Sequence, residues 1–137
     1  MPVTSLKLPK STVKKASADS IAAGLRAFFE ISKKWGLSQE QARVLLGQPS
    51  KQTFYNWRNG NIGRINNAFD LATRLSHVLG IFRALEVLYK HPELADGWVA
   101  RPNLAFGGRS ALEHMMGGQI TDLAAVRDYL DSVRGGW

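Results

Sequence analysis

"GLSQEQARVLLGQPSKQTFYNWRNG", residues 36–60, holds two helix starts and two helix stops in one short stretch. Ser38 followed three residues later by Gln41 is a capping box, in which each side chain takes up a free backbone N–H at the helix start. Ala42, Leu45 and Leu46 give that helix an apolar side, and Gly47 ends it. "GQPS" turns the chain, Ser50 caps a second short helix that runs through "KQTFYNWRN", and Gly60 closes it. On this second helix Phe54 and Trp57 lie three residues apart, a spacing that predicts inward packing on Leu45 and Leu46. Lys51, Tyr55 and Arg58 share an outward stripe at i, i+4 and i+7, with Gln52 and Asn56 on the adjacent stripe and Thr53 beside them. Two short helices joined by a tight turn outline a helix-turn-helix, whose second helix enters the DNA major groove. Lys51, Gln52, Thr53, Tyr55, Asn56 and Arg58 are therefore the candidate DNA contacts. Arg and Lys suit guanine and phosphate, Gln and Asn suit adenine, and hydroxyls suit phosphate.

An ordinary helical hairpin with a polar outer face has the same outline, so the charge balance carries weight. The 137 residues have a formal net charge of +7. Residues 1–60 contain ten basic and three acidic side chains, whereas residues 61–137 contain eight of each. All the excess positive charge thus accompanies the helix-turn-helix, as a nucleic-acid face requires, and a neutral unit follows it. Lys14 and Lys15 can add phosphate contacts, which makes binding steeply salt-dependent.

Outward from that stretch the pattern stays helical. Residues 1–17 read as a basic flexible arm, with Pro2, Pro9 and scattered Ser and Thr. A helix is predicted from about Asp19 to Trp35, burying Ile21, Leu25, Phe28, Phe29 and Ile31. The strongest helix spans about Asn67 to Lys90. Its broad apolar face contains Phe69, Leu71, Leu75, Val78, Phe82 and Leu85, opposite a polar stripe that includes Asp70, Arg74 and His77. A face that wide suits a central helix or the seam of a homodimer. Pro92 marks another helix start, "ARPNLAFGG" reads as loop, and Thr121 opens a last helix through "DLAAVRDYLDSVR". Between them "FGGRSALEHMMGG", residues 106–118, brackets two turns of helix with glycine pairs. Ser110 and Glu113 form its capping box, and Gly117 is placed to end it in a left-handed conformation. A helix that short needs support from the rest of the fold. The fold class is all-α, an N-terminal helix-turn-helix joined by a long central helix to a small helical unit. Its divisions are a basic arm (1–17), a DNA-binding unit (18–64), and the central helix with the C-terminal unit (65–137).

Several functions are excluded or disfavoured. No apolar run approaches the roughly 20 residues of a membrane helix, and the N-terminus lacks the apolar core of a secretory signal. Zero cysteines exclude disulfides and thiol chemistry and fit a cytoplasmic protein. His77, His91 and His114 have no metal-ligand spacing, and the glycine runs lack a phosphate-loop ending. No catalytic residue, metal or cofactor is assigned. A binding role has more support. Trp98, Phe106, Met115, Met116 and Trp137 are large side chains in or near loops, types enriched in interface cores. Trp98 and Phe106 suit a small core, while Trp137 follows two glycines and is free to fold back, fray or enter a partner.

These residues resemble the Xre/MbcA/ParS antitoxins over roughly residues 20–137. The resemblance rests on "GLSQEQARVLLGQPSKQTFYNWRNG" and, more specifically, on "ATRLSHVLGIFRALEVLY", Trp98 to Asn103, "FGGRSALEHMMGG" and "VRDYLDSVRGGW". Ala111 departs from the pattern, where proline is expected after the serine; proline would pre-form the first helical position. The resemblance implies a type II antitoxin whose partner is a RES-domain toxin, an enzyme that consumes NAD or uses it to ADP-ribosylate a target. It implies that the glycine-bounded segment and last helix bind the toxin and that the tail covers its NAD site. That role maps to Arg127, Tyr129, Leu130, Val133, Arg134 and Trp137, with Phe106, Arg109, His114 and Met115 completing the face. Trp137 would stack where a base or nicotinamide ring sits. The N-terminal unit would bind operator DNA and repress the operon, usually as a homodimer on a pseudo-palindrome. The alternative is a free-standing transcriptional repressor whose C-terminal unit only dimerises or binds a ligand.

Overall fold

A computed structural model describes the backbone of residues 10–135 and the side chains of residues 18–135. The described residues form seven α-helices: α1 (Lys10–Trp35), α2 (Gln39–Leu45), α3 (Lys51–Arg58), α4 (Ala68–Leu88), α5 (Pro92–Gly97), α6 (Ala111–Met115) and α7 (Ile120–Val133). Two 3-10 turns, Trp98–Ala100 and Leu104–Phe106, interrupt what reads as plain loop, and Pro102 and Ser110 pair in an isolated antiparallel bridge. The helix starts follow the sequence closely. Ser38 and Ser110 each form the expected capping box, Ser50 caps α3, and Pro92 occupies the first turn of α5.

Three boundaries differ from the sequence reading. The helix expected from Asp19 begins at Lys10, so the second part of the expected arm is helical backbone. After Pro9 no proline or glycine occurs until Gly24, and nothing in between breaks a helix. The last helix starts at Ile120, one residue early, because Gln119 and Asp122 form a capping box of their own. The left-handed residue that ends α6 is Gly118, at φ +80°, one position beyond Gly117.

The core is continuous from end to end. Helix α4 lies at its centre, with α1 packed on one flank and α7 on the other. It buries Leu71, Leu75, Val78, Ile81, Ala84 and Leu85, which recur at steps of three and four. From α1 come Ile21, Leu25, Phe28, Ile31 and Trp35, and from α7 come Leu123, Val126 and Leu130. Because both flanks are used within the chain, the wide apolar face of α4 is largely accounted for. Two α4 residues depart from the pattern. Phe69, expected on the buried face, is 81% exposed, because the first turn overhangs the core and its neighbours Ala68 and Ala72 are also in solvent. Arg74, expected on the outer stripe, is buried. Its Nε donates to Asp70 Oδ2 at 2.9 Å and its Nη1 to the Leu45 carbonyl at 3.4 Å. Gly47 makes this possible: it has φ +92°, and a Cβ there would stand 3.0 Å from Arg74 Nε. The helix-turn-helix bend is thereby fastened to α4.

Candidate functional site

Helix α3 presents the candidate DNA surface. Ser50 Oγ accepts from the Thr53 N–H at 3.1 Å and donates to Thr53 Oγ1 at 2.9 Å, so the Thr53 hydroxyl is engaged in the cap with one proton free to donate. Phe54 and Trp57 are buried as their spacing predicts, and Phe54 meets Phe29 of α1 edge-on at 5.5 Å. That contact sets the roll of α3 and turns Lys51, Gln52, Tyr55 and Arg58 outward, all exposed, with Asn56 half-buried. Gln52 Nε2 donates to Asn56 Oδ1 at 2.9 Å, so the two amides orient each other. The Arg58 guanidinium lies 5.5 Å from the centroid of Tyr55 and 5.8 Å from that of Phe54. With the Gln39 amide turned so that its oxygen faces the guanidinium, the orientation that satisfies both groups, Arg58 Nη1 donates to it at 2.8 Å. Arg58 is thus held flat against the helix pair. Gln39 is a positioning residue that the sequence reading omitted, since a polar residue in the first turn of α2 gives no signal of a partner on α3. On α2, Arg43 donates to Glu40 at 2.7 Å and to the Pro49 carbonyl at 2.8 Å, bracing the turn, and its hydrogen bond holds the Glu40 carboxyl below its ordinary pKa.

The C-terminal half gathers aromatic side chains around α7. Tyr129 stacks on Trp98 at 6.3 Å and 13°, and meets Phe106 edge-on at 5.5 Å. Phe106 lies 6.4 Å from Trp98 and 5.4 Å from the His114 ring, whose Nε2 is 3.9 Å from Asp122 Oδ1. Buried Trp98 is the floor of this cluster, and half-buried Phe106, Tyr129 and His114 form its outer surface. The loop before α6 is tightly bonded: Asn103 N donates to the Arg109 carbonyl and the Asn103 carbonyl accepts from Phe106 N and Gly108 N, all at 3.0 Å. Gly107 and Gly108 have φ of +68° and +86°, a left-handed pair that turns the chain back toward Ser110. Arg109 is exposed, with Nη2 donating to the Glu113 carbonyl at 2.9 Å. The Ser110 backbone N–H donates to Glu113 Oε1 at 3.0 Å, which draws the Glu113 carboxyl below its ordinary pKa. These bonds and the bridge to Pro102 supply the support that a five-residue α6 requires.

The structure divides the expected toxin-contact residues. Phe106, Arg109, His114, Tyr129, Val133 and Arg134 reach the surface. Met115 and Leu130 are 0% and 1% exposed and belong to the core instead. Leu123, Val126 and Leu130 repeat at three and four along α7, which puts Leu130 on the core side of the helix and not on its surface. Arg127 lies across α4: its Nη1 donates to the Ser76 carbonyl at 3.2 Å and to Ser76 Oγ at 3.3 Å. Its guanidinium fills the space a side chain at Gly80 would take. It clamps α7 to α4 rather than projecting to a partner. Beside it, burial and the Arg127 charge hold His77 below its ordinary pKa of 6.5, and His77 Nδ1 is buried without a hydrogen-bond partner. Arg134 pairs with Asp131 at 3.3 Å, and Trp137 lies outside the described residues. Among the described residues no group of three His, Asp or Glu is placed to hold a metal, and no helix is long and apolar enough to cross a membrane.

Comparison with known proteins divides the chain similarly. Residues 16–80 match the family model of the antitoxin Xre-like helix-turn-helix domain, and residues 84–136 match that of the antitoxin Xre/MbcA/ParS C-terminal toxin-binding domain. The chain is 43% identical over 122 residues to the protein named "Uncharacterized protein y4oB" of Sinorhizobium fredii (strain NBRC 101917 / NGR234), an overlap of 88% of this chain and 92% of that relative. No solved structure matches it.

Proposed function

The chain belongs to the Xre/MbcA/ParS antitoxin family, and from that premise we propose that it neutralises a RES-domain toxin of a type II system and represses its own operon. The toxin would dock on the face formed by Phe106, Arg109, His114, Tyr129 and Val133, while Arg134 and the residues that follow cover its NAD site. Neutralisation then needs no catalysis by the antitoxin, only occlusion. The observation that carries this reading is the surface aromatic cluster packed against the C-terminal part of α7, inside the segment that matches the toxin-binding family. Aromatic side chains of this kind anchor protein interfaces.

At the other end Lys51, Gln52, Tyr55, Asn56 and Arg58, with the free Thr53 hydroxyl proton, meet operator DNA in the major groove, and the basic excess of residues 1–60 supplies the phosphate attraction. The divisions 1–17, 18–64 and 65–137 then correspond to a basic extension, a DNA-binding unit and a toxin-binding unit. Binding occurs as a cytoplasmic homodimer on a pseudo-palindromic site. The flanks of α4 are occupied within the chain, so the seam would use its outer edge, where Phe69 and Ala72 are exposed.

The test is co-purification with the product of the adjacent gene, with and without residues 134–137, followed by an NAD-consumption assay. The expected result is a silent complex for the full chain and restored NAD consumption for the truncated one. Full inhibition by the truncated chain would remove the tail from the mechanism. No complex at all, with promoter binding intact, would leave a free-standing repressor.

A further inference from the structure

Leu104 has the largest exposure of any large apolar side chain in the structure, at 93%, yet it sits on a firmly tied backbone. Asn103 Oδ1 accepts from the Ala105 N–H at 2.9 Å, the Asn103 carbonyl accepts from Phe106, and the Leu104 carbonyl accepts from Gly107 at 3.1 Å. A lone exposed leucine is ordinary on a protein surface. A leucine projected from a pre-ordered turn is different, because burying it in a partner orders only one side chain.

An apolar stripe begins two residues further on. Phe106 closes the same 3-10 turn and packs on Tyr129 at 5.5 Å. Val133, 52% exposed, is one helical turn beyond Tyr129 on the same side of α7. The stripe therefore runs Phe106, Tyr129, Val133, with Leu104 projecting from the turn that carries Phe106, and α7 ends at Val133, where the tail departs. Residues 135–137 span at most about 10 Å when fully extended. A toxin that takes these residues into its pocket must bring the rim of that pocket against Val133. An interface of about 800 Å² per partner, a disc of about 16 Å radius, then reaches along the stripe.

We infer that Leu104 is an anchor for the toxin, inserting into an apolar depression on the rim of the pocket that the tail enters. The inference rests on the toxin-binding reading above and adds a second point of attachment, separate from the tail in sequence. Two points fix the angle at which the tail enters, and thus which toxins this antitoxin accepts.

The test uses the full chain and the product of the adjacent gene as toxin, with affinity measured for the wild type, Leu104→Asp, Leu104→Ala and Leu94→Asp. Leu94 is the same residue type, 45% exposed on α5, and belongs neither to the stripe nor to the proposed seam. The expected result is binding weakened about tenfold to a hundredfold by Leu104→Asp, the range that burial of one leucine implies. Leu104→Ala should be intermediate and Leu94→Asp within about twofold of wild type, all with unchanged melting temperatures. Wild-type affinity in Leu104→Asp would overturn the inference while leaving the toxin-binding reading intact. Absence of binding by the wild type would overturn both. A changed oligomeric state of free Leu104→Asp would overturn it by assigning the stripe to self-association.

Discussion

Replacing Gly80 by alanine tests how α7 is held to α4, because two opposed effects meet at one atom. Alanine in a helix interior is favoured over glycine by about 0.8 to 1.0 kcal/mol. At this position, however, the new Cβ would stand 2.5 Å from Arg127 Nε and 2.6 Å from Cζ, so the guanidinium must leave. It then gives up its hydrogen bonds to the Ser76 carbonyl and hydroxyl. Both are solvent-accessible, which holds their joint contribution to about 1 to 2 kcal/mol. The net expectation for Gly80→Ala is between no change and a loss of about 1 kcal/mol. In the background of Arg127→Ala the obstruction is gone, and the same substitution should stabilise by the full ~1 kcal/mol. The coupling between the two sites is therefore about 1 to 2 kcal/mol, readable in a double-mutant cycle by urea denaturation at constant m-value. Additivity to within about 0.3 kcal/mol would refute the clamp, as would stabilisation by Gly80→Ala in the otherwise wild-type chain.

Four further outcomes are expected. Ser110→Ala removes the oxygen that accepts from the Glu113 N–H at 3.0 Å and should cost about 1 kcal/mol in denaturant titration; no loss would mean that α6 does not depend on its cap. His77 has a folded pKa below 6.5, from burial first and the Arg127 charge second, so the unfolded chain takes up the proton first. Its contribution is complete above about pH 6.5 and is lost as pH falls through the folded value; midpoints in urea at pH 7.5 and pH 5 should therefore differ less in His77→Gln than in wild type. Lys51→Ala should weaken operator binding at all sequences and lower the salt slope by about one, whereas Gln52→Ala should relax sequence preference, because it also frees Asn56.

Local chemistry accounts for what the sequence made legible. Ser38, Ser50 and Ser110 announce helix starts through bonds made within three residues, and Pro92 does so through its fixed φ, so those four beginnings were readable. The inward turn of Phe54 and Trp57 followed from spacing alone. What escaped was settled by partners far along the chain. Arg74 looks like surface until Leu45, 29 residues earlier, supplies a carbonyl, and Arg127 looks like a contact for a partner until Ser76, 51 residues earlier, receives it. Leu104 carried no periodic signal because a 3-10 turn of three residues has none. The resemblance to known antitoxins named the toxin-facing region but did not separate its surface from its core, which is why Met115 and Leu130 stood beside Phe106 and Tyr129.

The helix-turn-helix match ends at residue 80 and the toxin-binding match begins at residue 84, so the two meet inside α4 (Ala68–Leu88) with no loop between them. An unbroken helix transmits angle as well as distance: one added residue advances it by 1.5 Å and rotates everything beyond by about 100°. Exchange of toxin-binding segments between relatives therefore has to conserve helical phase as well as sequence. A chimera joined at residues 81–83 with one residue too many would point a sound binding face away from its target, and two or three further residues, completing a turn of about 3.6, would bring it round again.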